Sequence, residues 1–458
     1  MPRHTLDRQF TTATFALAII LGAGTTRGLH SIRAEEPANA SPPKFEFTED
    51  AGETRVFRVN SRLDVTGELE TALGPGRSQT LPLDVQATHV YRECRLEGTG
   101  RGPETLRSLR DYERAEATIK VDDQTSSSRL RDDRRLIVAS GRREGVSFYS
   151  PAGTLRASEL DLLRRPGDSL AVLGLLPLAE IEVGGEWTAE SWVAQTLTGT
   201  EAVLASDLTC KLESAADGVA RVTFQGTLEG ATEGTPTKIE LSGSYRYDLQ
   251  GKFLTRLELT QKEQRAVGAV SPGLDVTARI TLDRTPSNTP GRLTETVVAG
   301  IPLEPEAALV QLSLDLPWNA RLRHSRDWHV FHVRNQVAVL RLLDEGRLVA
   351  QCNITPVATA GPGRHTPEDE FQADIRTALG TRFKEIEQAG KLEGEGNRYV
   401  YRVTVRGEAN GLEMHWLYYL VAAPSGRQVS FVFAVETPLR KELGERDREI
   451  VESLEFVE

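Results

Sequence analysis

The stretch Phe57-Arg58-Val59-Asn60-Ser61-Arg62-Leu63-Asp64-Val65-Thr66-Gly67-Glu68-Leu69 decides the fold. Phe57, Val59, Leu63, Val65 and Leu69 share one parity, while Arg58, Asn60, Arg62, Asp64 and Glu68 take the other. Successive side chains along a strand point to opposite faces, so this is one long, half-buried strand. Gly74-Pro75-Gly76 turns the chain into a second run, with Leu81, Leu83, Val85, Ala87 and His89 in register. Long alternating strands joined by short turns predict an antiparallel meander.

Further runs continue the pattern to about residue 284. Asp217-Gly218 lies between two of them and signals a tight hairpin, because both residues tolerate positive φ. Tyr245-Arg246-Tyr247, a turn at Asp248 to Gly251, and Phe253 to Leu259 predict another hairpin; Leu274 to Leu282 adds a strand. Helix is expected only at Ala157 to Leu163 and at Ser169 to Leu176, where Pro177 stops it. Residues 53–285 therefore read as an antiparallel β-rich domain with an open or half-barrel sheet.

A Pro-containing linker, 286–306, separates it from an α+β domain, 307–458. There Val337 to Leu343 and Leu348 to Ile354 pair across Asp344-Glu345-Gly346. Thr366 caps a helix with Pro367 first and Phe371, Ile375 and Leu379 as its core stripe. Tyr399 to Val405, Met414 to Ala422 and Val429 to Val435 form a meander. Thr437 and Pro438 start a last helix whose apolar face is Leu439, Leu443, Ile450, Val451 and Leu454. This order, with Trp328 to Phe331 leading into it, resembles the PsbP-type fold of a lumenal photosystem II subunit and a Ran-binding import factor. The resemblance covers residues 307–458 and implies an antiparallel sheet packed between helices, in a group known for binding and assembly. The β-rich domain is similar in architecture to the half-barrel lipid carriers of the bacterial envelope, the LolA and LppX type.

Arg3 and Arg8 precede an apolar run from Phe10 to Gly22, too short for a spanning helix and shaped like a secretory signal peptide. Residues 1–34 are expected to be that signal, with cleavage after Ala34 or Ala40, and residues 35–52 a flexible leader rich in proline. An uncleaved anchor is the alternative. No second apolar stretch is long enough to span, so the mature chain is expected to lack a transmembrane segment. The chain is expected to be periplasmic or extracellular. At 458 residues it exceeds one ordinary core, and a net charge of -11 argues against nucleic acid, which needs a basic face. Export permits disulfides, and Cys94 and Cys210 could pair; Cys352 alternates with Leu348, Ala350 and Ile354 as a buried thiol.

Chemistry-bearing residues are few. Gly167-Asp168-Ser169-Leu170 spells the name motif of the GDSL esterases, but it follows Arg164-Arg165-Pro166 instead of an apolar strand, and the later Asp-x-x-His is absent. The alternative is that Asp168 caps a short helix starting at Ser169. His324, Asp327, His329 and His332, with His365 or His415, lack zinc-site spacing. Trp187 and Trp192 either line a ligand mouth or seal the sheet. Adjacent Tyr418 and Tyr419 must face opposite sides, which makes one of them a candidate contact surface; Trp328 is another. The arginines at 129, 131, 134, 135, 142 and 143 alternate with acids and read as a solvated hairpin with local ion pairs.

The expectation is an exported, non-enzymatic binding or scaffolding protein of the bacterial cell envelope, without a cofactor. Its partner would be an apolar small molecule or an envelope protein. The alternatives are a secreted hydrolase using Ser169 and a purely structural assembly protein.

Overall fold

The computed structural model describes residues 42–457 apart from 50–54, 75–76, 97–101, 144, 303 and 394–396. The expected signal segment, its expected cleavage points and most of the expected leader lie outside the described residues. Antiparallel strands dominate, so the chain is mainly β with an α+β part.

The long run at Phe57–Gly74 pairs with Arg77–Arg95, in continuous register from Phe57–Glu93 to Ala72–Ser78. From one edge, the large sheet runs Glu186–Thr188, Thr209–Ala216, Val219–Thr232, Thr235–Asp248, Phe253–Arg265 and Gly273–Pro286. It continues through Phe57–Gly74, Arg77–Arg95, Arg107–Val121 and Leu136–Arg142 to Gly145–Tyr149, with Ala202–Ser206 and Gln124–Arg129 as side branches. This path is open. Asp217 and Gly218 both have positive φ, 53° and 78°, as a two-residue hairpin turn requires.

Inner residues from both ends of the sheet, Leu212 and Phe224 from one and Ile137 and Phe148 from the other, join a single apolar cluster. The sheet must therefore wrap around what lies between them. That filling is the helix Ala157–Leu163 and the 3-10 turn Ser169–Leu173, whose leucines are buried. The filling is uneven. Val59 is 0% exposed under it, whereas Val65, Leu83 and Val85 further along the same strands are only half-buried. A second helix, Ser191–Thr198, packs beside it; its sequence has no N-cap side chain to announce it.

Two expectations about connections change. Residues 44–49 belong to the fold and not to a flexible leader: Lys44–Phe45 pairs with Ile181–Glu182, Phe47 is buried against Tyr247, and Glu49 reaches Arg284. Residues 286–302 lie on the convex face of the sheet, where Leu293, Val297 and Val298 pack with Cys94, Leu109 and Tyr149.

The last part of the chain forms a seven-stranded antiparallel sheet in the order Trp328–Arg334, Val337–Asp344, Arg347–Val357, Gln428–Glu436, Leu412–Ala422, Tyr399–Ala409, Phe383–Leu392. The helix Glu368–Leu379 buries Phe371, Ile375 and Leu379 on one face. Pro367, not Thr366, is its cap residue; the Thr366 N–H donates instead to Gln428. Arg440–Leu443 and Arg446–Glu452 cover the other face through Leu443, Ile450 and Val451. Leu155–Arg156 from the first region pairs in parallel with Leu312–Ser313, so a small shared sheet ties the two regions together.

Candidate functional site

Where the helical filling stops, the concave face is open. A cavity of about 910 Å³ lies there, between the large sheet and the strand starting at Trp328. Its floor is Val65, Leu83, Val85, Leu274, Val276 and Ala278, all at inner positions of three adjacent strands. Its end wall is Leu160, Asp161, Arg164 and Arg165, and its roof includes Trp328, His329 and Val330. Two bridges hold the roof in place. Arg326 donates to Val310 O at 2.8 Å, Phe148 O at 2.5 Å and Ser147 Oγ at 3.2 Å. At the far end, Gly234 and Gly346, each at a hairpin turn, touch backbone to backbone, and His329 Nδ1 lies 3.5 Å from Glu233.

The end wall is shaped by local chemistry. Pro166 biases Arg165 away from helix, so the helix ends at Leu163. Gly167 has φ 74°, and a Cβ there would meet Ile280 at 2.7 Å. Asp168 then caps the next turn, accepting from Leu170 N at 2.8 Å, as the capping reading expected.

Beneath this wall is a buried ionic network. Arg110 donates to both oxygens of Asp168 and to Glu93. Arg284 donates to both oxygens of Glu49 at 2.6 and 2.9 Å. Burial alone would raise Glu93, but Arg110, Arg95 and Arg284 outweigh it and hold the carboxyl at about 2. Burial and nearby Arg165 drive His89 down to about 3, and its Nε2 donates to Leu162 O at 2.9 Å.

This network engages the serine on which the esterase alternative rests. The Ser169 side chain is 0% exposed; its hydroxyl donates to Glu93 at 2.7 Å and accepts from Tyr91 and Arg110. No face of the hydroxyl is left to meet a substrate, and its neighbours hold it as a structural link.

Other expected residues separate into distinct places. Trp187 and Trp192 both line a second cavity of about 610 Å³, roofed by Leu176, Pro177 and an exposed Leu178. Their indole N–H groups donate to Leu175 O and to Glu190. Trp328 is 1% exposed and lines the larger cleft. Tyr418 and Tyr419 are not a contact surface, because helices cover both faces of their sheet. Tyr418 packs in the cluster with Phe371, and the Tyr419 hydroxyl donates to Asp447 at 2.5 Å.

Cys94 and Cys210 are free thiols in separate clusters, with five strands between theirs along the sheet path, which corrects the pairing considered for them. The histidines are dispersed: His324 is buried, His365 stacks on Tyr399, and His415 bonds Thr437 and Glu387. Among the described residues no group of His, Cys, Asp and Glu could hold a metal ion. Arg129, Arg134 and Arg135 make the local pairs expected with Asp132 and Asp133, Arg135–Asp132 at 2.6 Å among them, whereas Arg131 holds Glu159 and Arg142 reaches Glu304. Among the described residues no helix is long and apolar enough to cross a membrane.

No protein-family model matches the chain, and no curated protein does. Among solved structures, the chain is similar to cyanobacterial PsbP from Synechocystis sp. PCC 6803, at 13% identity over 32% of this chain and 92% of that one, TM-score 0.26. It is also similar to the immunity protein TplEi from Pseudomonas aeruginosa, at 12% identity over 54% and 95%, TM-score 0.19. A third likeness is the translocator domain of the autotransporter NalP from Neisseria meningitidis, at 8% identity over 84% and 89%, TM-score 0.13. The LolA and LppX likeness does not emerge from these comparisons. At such scores none of them carries an argument about function.

Proposed function

We propose that this chain is an exported, non-enzymatic binding protein of the bacterial cell envelope, and that it holds an apolar or amphiphilic molecule in the cleft under Trp328. The supporting observation is the uneven filling of the concave face. A sheet evolved only for stability would bury Val65, Leu83 and Val85 in a solid core, because each such burial is worth about 1.5–3 kcal/mol. Here they floor a cavity of about 910 Å³, within the range of small-molecule sites.

The test is mass spectrometry of an organic extract of the mature protein, purified from its native envelope without detergent. A stoichiometric apolar molecule is expected. A clean extract would reject ligand carriage and turn attention to docking of the 307–458 region onto another envelope component.

A further inference from the structure

The cleft joins an apolar floor to a charged end wall whose charges do not balance. In the buried network behind that wall, three carboxylates, Glu49, Glu93 and Asp168, meet four guanidinia, Arg95, Arg110, Arg165 and Arg284. Glu49 is taken by Arg284, and Glu93 and Asp168 by Arg110. Two guanidinia are left over: Arg95, which donates to the Ser169 carbonyl and is not part of the cleft lining, and Arg165. Arg165 is 5% exposed and lines the cleft; its Nη1 reaches only the carbonyls of Pro166 and Gly167, and its Nη2 meets no acceptor. A desolvated guanidinium without an anion is costly to keep.

The cavity as a whole has a lining of mixed charge, with seven carboxylates and four arginines. Arg326 lines it and bonds only neutral acceptors; burial, with Arg164 nearby, lowers it to about 10. Arg164 approaches Glu201 no closer than 3.9 Å. Four of the seven acids are engaged, Glu233 by His329, Glu263 by Arg265, Asp168 by Arg110, and Glu201 by the Glu233 N–H and Arg164; Asp327 and Glu345, next to the roof strand and at the far turn, make no ion pair among the described residues. Asp161 opens onto the cleft; burial raises its carboxyl to about 6, so it is still mostly ionised at neutral pH and the anion must bind on the Arg165 side of the wall. Trp328 Nε1, also without an acceptor, adds a second buried donor on the cavity's lining.

We propose that the cleft binds an amphiphile whose anionic head, a carboxylate or a phosphate, sits on Arg165 while its apolar chain lies along Val65, Val85 and Val276. Arg326, bonded only to neutral acceptors, is the second cation of the lining. This rests on the binding reading above and adds the charge of the ligand.

The experiment is calorimetric titration of the mature full-length chain with decanoate, decyl phosphate, decanol and decylamine, and separately with acetate and inorganic phosphate. Decanoate or decyl phosphate should bind at least about tenfold more tightly than decanol, the typical share of a charge-assisted hydrogen bond. Decylamine, acetate and inorganic phosphate should bind more weakly still. Arg165→Gln should abolish the preference for the anion and retain decanol binding. Equal binding of decanol and decanoate, or tighter binding of decylamine, would overturn the anionic head while leaving a binding protein. Tight inorganic phosphate without any gain from the chain would overturn the amphiphile. If Arg165→Gln fails to fold, the comparison of the four ligands on the unaltered chain still decides. No binding of any decyl compound would reject the charge assignment, and the native extract would then judge the binding reading separately.

Discussion

Arg110 grips Asp168 with two hydrogen bonds, Nη2 to Oδ1 at 2.6 Å and Nη1 to Oδ2 at 2.9 Å, while its Nε reaches Glu93 at 3.0 Å. One buried cation thus ties two neighbouring strands to the turn that fills the concave face.

Arg110→Met is therefore expected to destabilise the fold by about 3–5 kcal/mol, because it leaves Glu93 and Asp168 buried without their counter-charge. The triple replacement of Arg110, Glu93 and Asp168 by apolar residues of similar volume should recover much of that loss. Urea unfolding midpoints measure both. A triple variant as unstable as Arg110→Met alone would show that the charges are not what makes the single change costly.

Acid should loosen the same region in two stages. His89 is held neutral, at about 3 against an ordinary 6.5, so the unfolded chain binds its proton first and stability is lost as pH falls from about 6.5 towards 3. Glu93 sits at about 2 against 4.5; its contribution is present above 4.5 and is lost as pH falls from there to about 2. Each spans a few kcal/mol at most. His89→Gln keeps a donor for Leu162 and should flatten the stability profile between pH 6.5 and 4.5 while sparing the lower stage. An unchanged slope there would place the acid sensitivity elsewhere.

Much of the fold was legible because alternation is a strong local signal. Phe57 to Leu69, the Asp217-Gly218 turn and the Phe371, Ile375, Leu379 stripe all appear as read. The helix Ser191–Thr198 and the strand Phe383–Leu392 escaped, the first for want of a cap, the second because it lies at a sheet edge with most side chains exposed. The ionic network had a signal that parity carries: Glu93 and Arg95 continue the inner set of His89 and Tyr91, and Arg284 that of Ile280 and Leu282. Charges at inner positions predict buried pairs. Which acid meets which arginine depends on contacts 58 and 235 residues apart, Arg110 with Asp168 and Glu49 with Arg284, and no local pattern encodes them. The cleft was invisible for the same reason: Val65 and Val85 look like core until the helical filling is seen to stop short of them.

The thiols give a simple check on the first region. Cys94 and Cys210 are free and buried, and burial pushes them up to about 11 and 12. The native protein should react with no thiol reagent at neutral pH, and denaturation should release all three thiols without a reductant. Only one reactive thiol in the denatured, unreduced protein would mean that Cys94 and Cys210 are bonded after all.

The closure of the cleft depends on two turns. A Cβ on Gly234 would lie 2.0 Å from Gly346 O, and Gly234 has φ 72°. Gly234→Ala should carry two costs: about 1–2 kcal/mol for a left-handed alanine, and a further loss from forcing the hairpin turns apart. Gly218→Ala and Gly411→Ala separate the two, since those glycines have φ 78° and 80° with nothing within 4 Å of the added atom. Gly234→Ala should therefore lower the unfolding midpoint more than either control, and it should also increase acrylamide quenching of Trp328, measured with the other tryptophans replaced by phenylalanine. Equal destabilisation by all three, with Trp328 unaffected, would mean that the roof is held by Arg326 and the Leu155–Leu312 strand pairing alone, and that the turn contact contributes nothing to closing the cleft.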